Sequence, residues 1–512
     1  MEESLAEVVV ATNLQQEKIN AVLHYLRMKI KIISLFLLFG LKAFSQDSAD
    51  GTEFKKRVLE STEVDFLLSY YNQDGSKSAV SGGIGSEKLT DVATNIVIAM
   101  PLDDDSILTV DLGISSYSSA SSSNINPFNA TGASGRGDDD DDDDDRIRAF
   151  AAAPASAPYG TPWQASSGAS KSDQLSAVTV NYAHSSDSRN FIWNADVSFS
   201  NEYDYTSVGF GGGIAHLFND KNTELSLKAN VYLDQWRPIY PTELHEYSKY
   251  GSNFLNQGYF AGVTVLDQNG QGTSNYLPSE FQNLSSVNRN SYSASVGFSQ
   301  VLSKKLQVSV FFDVLQQQGL LSTPYHRIYF ADKVNYYIGQ AQYIPEYESE
   351  SNAGIYKLAD DIERLPDSRF KLPIGARINY YINERFVLRT YYRYYSDNWD
   401  IQSHTANIEL PIKVSDRFTV FPMYRFYTQT QSKYFAPYET HLSTEKYYTS
   451  DPDLATFDSN QYGLGVNYTD IFTGAKIWKF GLKNVDFRYN RYQRSDNLSA
   501  NIATIGFKFV MQ

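Results

Sequence analysis

Apolar and polar residues alternate with a period of two in about sixteen stretches between Thr62 and Met511, the pattern of strands with one oily and one wet face. From Ile107 to Ser116, the side chains of Leu108, Val110, Leu112 and Ile114 share one face, and Thr109, Asp111, Gly113 and Ser115 share the other. The same alternation recurs at Leu225, Leu227, Ala229, Val231 and Leu233, and again at Leu306, Val308, Val310 and Phe312. It predicts strands near 62–72, 92–101, 106–118, 173–185, 191–203, 206–218, 223–237, 288–302, 306–318, 369–382, 385–397, 401–414, 417–430, 458–471, 480–494 and 497–511. The short connections all follow even-numbered strands, while the long ones, 73–91, 119–172, 238–287, 319–368 and 431–457, follow odd-numbered strands. A membrane span must satisfy its own backbone hydrogen bonds, which leaves helices and closed barrels. No helix-length apolar run occurs beyond the N-terminal region. The expected fold is therefore all-β, a transmembrane antiparallel β-barrel of about sixteen strands with short periplasmic turns and long extracellular loops.

Composition fits a barrel better than a helical membrane protein. The 512 residues are 42% hydrophobic, with 38 Tyr and 30 Phe to supply interfacial girdles. A net charge of −15 argues against nucleic acid as a partner, because such binding is dominated by cations on phosphate. The absence of cysteine excludes thiol-anchored lipidation, covalent c-type haem, Cys-ligated iron–sulfur clusters and disulfides.

The N-terminal region divides in three. Residues 1–27 are expected to be an upstream extension; 28–45 have the form of a signal peptide, with Lys29 and Lys31, an apolar run from Ile32 to Leu41, and Ala43-Phe44-Ser45 before the cut. Residues 46–61 make a short periplasmic segment, too short for a plug domain, and 62–512 the barrel. At the other end, Ala503, Ile505, Phe507, Phe509 and Met511 alternate in the manner of a terminal strand taken up by the barrel assembly machinery, although Gln512 replaces the usual aromatic.

Charges predicted on the inner face are Asp65, Asp111, Asp196 and Asp234 in the first half of the chain, then Arg377, Arg389, Arg393, Lys413 and Arg425 in the second, with Asp313 and Glu409 as exceptions. Sequential strands neighbour one another around a barrel, so the two halves form opposite walls and acid faces base across the lumen. Local pairing of these charges is the alternative. The run Asp138, Asp139, Asp140, Asp141, Asp142, Asp143, Asp144 and Asp145 reads first as a solvated loop, and beyond that as a weak surface calcium site, since spaced ligands and a turn glycine are missing. No resident cofactor is expected. Gly209, Gly211, Gly212 and Gly213 mark barrel curvature or a loop packed against the wall. His184, Ser185 and Asp187 are close in sequence but fall at a turn, and no HExxH, nucleophile elbow or phosphate loop is present, so catalysis is not expected.

Five stretches, Tyr70-Tyr71-Asn72-Gln73-Asp74-Gly75, Val80-Ser81-Gly82-Gly83-Ile84-Gly85, Asn124-Ile125-Asn126-Pro127-Phe128, Asn201-Glu202-Tyr203-Asp204-Tyr205 and Tyr232-Leu233-Asp234-Gln235-Trp236-Arg237-Pro238, resemble a family of outer-membrane barrels of unknown function, the DUF family thirty-five-seventy. The resemblance spans nearly everything after the signal. It implies a location in the outer membrane of a Gram-negative bacterium, contact with outer-membrane lipid, and an association with an envelope lipoprotein or flavin-linked redox proteins. The aspartate run departs from the Gly- and Ser-rich connection usual in that family. Together these features lead to two expectations of function: a pore for small polar solutes, or a non-conducting scaffold for redox partners.

Overall fold

The computed structural model describes residues 57–118, 172–202, 204–285, 287–348 and 354–512. The proposed extension, signal peptide, residues 46–56, the Asn124–Phe128 stretch and Asp138–Asp145 lie outside the described residues. Sixteen antiparallel strands close into a barrel. They are β1 (Glu63–Asp74), β2 (Leu89–Pro101), β3 (Ser106–Ser118), β4 (Ser172–Ser185), β5 (Phe191–Asn201), β6 (Tyr205–Phe218), β7 (Thr223–Trp236) and β8 (Asn288–Ser303). The second half comprises β9 (Leu306–Gly319), β10 (Ser368–Asn383), β11 (Phe386–Asp397), β12 (Gln402–Glu409, continued by Ile412–Lys413), β13 (Phe418–Gln429), β14 (Phe457–Thr469), β15 (Phe480–Arg494) and β16 (Ser499–Met511). Each strand pairs with its sequence neighbours, and β1 closes the ring by pairing with β16 from Glu63 opposite Val510 to Asp74 opposite Ser499. Closure leaves no unpaired edge, as lipid requires.

The alternation sorts side chains as the sequence predicts. Leu112, Ile114, Val197, Phe199, Leu225, Leu227, Val310, Phe312, Ile374 and Phe487 are exposed outward, an apolar belt far larger than a soluble surface tolerates. Residues of the opposite parity, such as Asp111, Asn194, Asp313 and Arg393, turn inward and are buried. The turns at the periplasmic end are tight: Asn219, Asp220 and Lys221 take left-handed backbone conformations that let β6 reverse directly into β7. At Gly211, by contrast, the lost side chain has a spatial reason. A Cβ there would meet the carboxylate of Asp196 and the amide of Asn230 from the flanking strands, so the glycine makes room for wall polar groups rather than for a folded-in loop.

The long connections build a second layer. The fourth outer loop, after β7, carries a helix, α1 (Thr242–Tyr250), and the short strands Val265–Leu266 and Gly272–Thr273. These join Tyr336–Gly339 and Ile355–Leu358 of the fifth loop in a four-stranded sheet, while Arg327–Ile328 pairs with Asp361–Ile362.

Candidate functional site

Inside the barrel, Asp111 lies on β3, Asp196 on β5, Asp234 on β7 and Asp313 on β9; Arg377 is on β10, Arg389 and Arg393 on β11, Arg425 on β13 and Arg488 on β15. In a ring of sixteen, β3 stands opposite β11, β5 opposite β13 and β7 opposite β15. The walls are thus of opposite sign, but each also carries local pairs. Arg389 Nη1 meets Glu409 Oε1 at 3.1 Å, and Arg488 Nη1 meets the other Glu409 oxygen at 3.2 Å. At the seam, Lys508 Nζ lies 3.2 Å from Glu63 and 3.9 Å from Asp65. Asn95 donates to Asp111 Oδ1 at 2.8 Å. Arg377 stacks over the rings of Phe311 and Tyr391.

Lys413 lies at the end of its wall, beyond a break in the strand. The strand breaks at Leu410-Pro411, yet Lys413 keeps the inward parity opposite Thr419 of β13; it lies exposed near the periplasmic end and pairs with Asp416 at 3.0 Å. Parity also places Lys371, Arg488 and Lys508 on the inner face of β10, β15 and β16, extending the basic wall, and Lys228 and Arg289 on that of β7 and β8, against the first-half/second-half contrast. Ser185, His184 and Asp187 form no triad: His184 Nδ1 sits 3.0 Å from the Ser106 hydroxyl on β3, and buried Ser185 is not its partner in that bond.

The outer mouth is the more elaborate feature. Val80 from the first outer loop, Tyr205 of β6, Trp236 of β7, and Leu320 and Tyr325 of the fifth loop share one apolar core. The first loop springs from β1 and β2 and the fifth from β9 and β10, so this cluster bridges opposite sides of the ring across the opening. Arg327 of the fifth loop locks it, donating to Glu243 of α1 at 2.8 Å and reaching the Val80 carbonyl at 3.5 Å. Gly82 and Gly83 allow the approach: both have positive φ, and a Cβ would lie 2.9 Å from the Tyr329 ring at Gly82 and 2.8 Å from the Ser450 carbonyl at Gly83. The seventh loop joins through Tyr448, whose hydroxyl donates to Asp361 at 2.5 Å, and through Glu439, which pairs with buried Lys357. Trp236 Nε1 donates to Asp204 at 3.1 Å. Four of the five stretches that carry the family resemblance therefore contribute to this mouth: Gln73 donates to the Glu87 carbonyl, and Val80, Asp204, Tyr205 and Trp236 meet directly or through one another.

Buried carboxyls in this cap are held protonation-prone. Burial pushes Glu87 up to about 7, against a backbone hydrogen bond from Lys77, and Asp360 likewise to about 7. Burial and the adjacent Asp453 raise Asp451 to about 7. Glu202, with both carboxylate oxygens unpaired among the described residues, is raised to about 9 by burial and by Asp204. A carboxyl whose folded value is raised contributes stability that is complete below its unfolded value, near 4, and is lost as pH climbs through the folded value. Glu363, held low by His326 against its own burial, acts in the opposite sense. The cap is thus expected to resist protease best near pH 5 and to loosen toward pH 8, with Glu87 alone contributing on the order of 3 kcal/mol. In Glu87→Gln the fall in resistance between those values should flatten, as read by limited proteolysis of the protein in detergent.

A closed antiparallel ring with an apolar belt, a charged lumen and loops packed over its mouth defines a transmembrane β-barrel. The chain belongs to the DUF3570 family, described as proteins of unknown function, whose model matches residues 31–505. No protein of curated function matches it in sequence. Among solved structures it is similar to a bacterial polysaccharide outer membrane secretin at 9% identity, with a TM-score of 0.36 over 89% of this chain and 99% of that one. A BenF-like porin from Pseudomonas fluorescens Pf-5 and OccK2 of Pseudomonas aeruginosa each show 7% identity and a TM-score of 0.35, over 89% of this chain and all of theirs.

Proposed function

We propose that the protein is an outer-membrane pore for small polar solutes, closed at its outer mouth by its loops in the resting form, in a Gram-negative envelope. The observation that supports this reading is the lumen: Asp196, Arg377, Arg389, Arg425 and Arg488 are only half-buried and project from walls of opposite sign, an arrangement that orders dipolar solutes and rejects apolar ones. No metal or other cofactor is part of the passage, and lipid and the assembly machinery are the partners it needs.

The test is ion selectivity. Changing Arg377, Arg389, Arg393 and Arg425 together to Gln removes four inner cations and shifts the field toward Asp111, Asp196 and Asp234. The reversal potential in a salt gradient is then expected to move toward the cation value, and the shift to shrink between 0.1 M and 1 M salt as the Debye length falls from ~10 Å to ~3 Å. An unchanged reversal potential in a variant that conducts would defeat the reading.

A second reading is favoured by one feature, the packed roof over the mouth. A rigid outer face with several apolar cores suits a scaffold that seats envelope lipoprotein or flavin-linked redox proteins better than it suits an open channel. A barrel that passes no current even after the roof is loosened, alongside a conducting control porin, would promote this alternative.

A further inference from the structure

His326 and Glu363 face each other at one end of the short β-ladder in the fifth outer loop, the Glu363 amide donating to the His326 carbonyl at 2.9 Å, and Asp451 opens a turn in the seventh. Their ligand atoms all lie within 4.8 Å of one another. His326 is 2% and Glu363 1% exposed, and neither ring nitrogen of His326 has a hydrogen-bond partner among the described residues. That is costly for a buried imidazole, which ordinarily gives or takes a hydrogen bond at each nitrogen. The nearest acceptor, Glu363 Oε2, is 3.5 Å from Nδ1, too long for a good hydrogen bond. Two donors on one tetrahedral ion with bonds of ~2.1 Å are separated by about 3.4 Å, close to the 3.5 Å between His326 Nδ1 and Glu363 Oε2, with all three ligand atoms within 4.8 Å of one another.

The surroundings are those of a ligand set held in place. The Glu363 oxygens are oriented by the Thr449 hydroxyl at 2.5 Å and the Thr323 amide at 2.7 Å. Asp451 Oδ1 accepts from the Asp453 amide at 2.9 Å. Asp453 in turn is engaged by Arg494 of β15, so it does not compete for the same position. Such outer contacts fix ligand geometry before an ion arrives. One imidazole cannot neutralise two carboxylates, and a divalent ion supplies the missing positive charge.

We propose that His326, Glu363 and Asp451 form a divalent cation site of the zinc class that staples the fifth outer loop to the seventh, with a solvent oxygen as fourth ligand. The imidazole selects zinc-like ions over calcium and magnesium, which favour oxygen alone. The site is separate from the aspartate run at 138–145 and independent of whether the lumen conducts.

The experiment uses the full chain, folded in detergent, with Asp138 to Asp145 changed to Ser so that surface carboxylates do not contribute. After chelation and dialysis, zinc alone is titrated in, and cobalt replaces it as a visible probe. One tight equivalent is expected, with a cobalt ligand-field band. In His326→Gln the affinity should fall at least a hundredfold, and protease should cut the two loops at the same rate with or without zinc. Binding unchanged in His326→Gln, or no binding tighter than millimolar in the parent, overturns the proposal. Should His326→Gln fail to fold, Asp451→Asn and X-ray absorption of the zinc-loaded parent decide: imidazole scattering in the metal shell supports the site, and an all-oxygen shell overturns it.

Discussion

Val310→Lys is expected to cost about 2–4 kcal/mol of folding free energy in lipid vesicles, because it places an ammonium in the hydrocarbon near mid-strand of β9. Val310 points outward, 46% exposed, between Phe298 of β8 and Ala376 of β10. Gln307→Lys, three residues away on the opposite face, should cost little. There the side chain is half-buried in the lumen beside Ser299 and Asn379 and can reach water. Urea titration of vesicle-folded protein separates the two. Equal losses would mean that the face assignment, and with it the barrel's inside and outside, is wrong.

The second large effect is expected at the roof. Arg327→Ala removes the partner of Glu243, which is 1% exposed, and leaves a carboxylate buried without its cation. Breaking such a pair costs about 3–5 kcal/mol, more than the first loop's contacts through Val80 can offset. The loss is local, since the barrel ladders do not pass through Arg327. The variant should therefore still run as a folded barrel on a gel, while its outer loops become protease-sensitive and its single-channel conductance rises several-fold over the parent. A barrel with intact protease resistance and unchanged current would show that the loops do not close the pore.

The transmembrane layer was legible because its signal is local. Residues two apart share a face, so Leu108, Val110 and Leu112 announce the wall within a few positions, and turns such as Asn219-Asp220 announce its reversals. The inner charges followed from the same parity. Lys413 keeps that parity beyond the interruption at Pro411, opposite Thr419, although the break leaves it exposed near the strand end. The roof was not legible. Val80, Trp236 and Tyr325 meet only after the ring has closed, and nothing in their spacing foretells it. His326, Glu363 and Asp451 have no motif interval for the same reason: two loops and a ladder bring them together.

The reach of the roof has a consequence for the order of folding. The contact between Arg327 and the Val80 carbonyl joins residues 247 positions apart, and the seam between β1 and β16 joins the two ends of the barrel. Closing such long loops carries an entropic cost that must be met before the contact rewards it, so non-local pairings form late. The ring must be complete before loops from opposite walls can meet. Maturation should then show two kinetic phases, a faster gain of strand structure and a slower burial of Trp236, and a barrel caught between them would have a finished wall and an unroofed mouth.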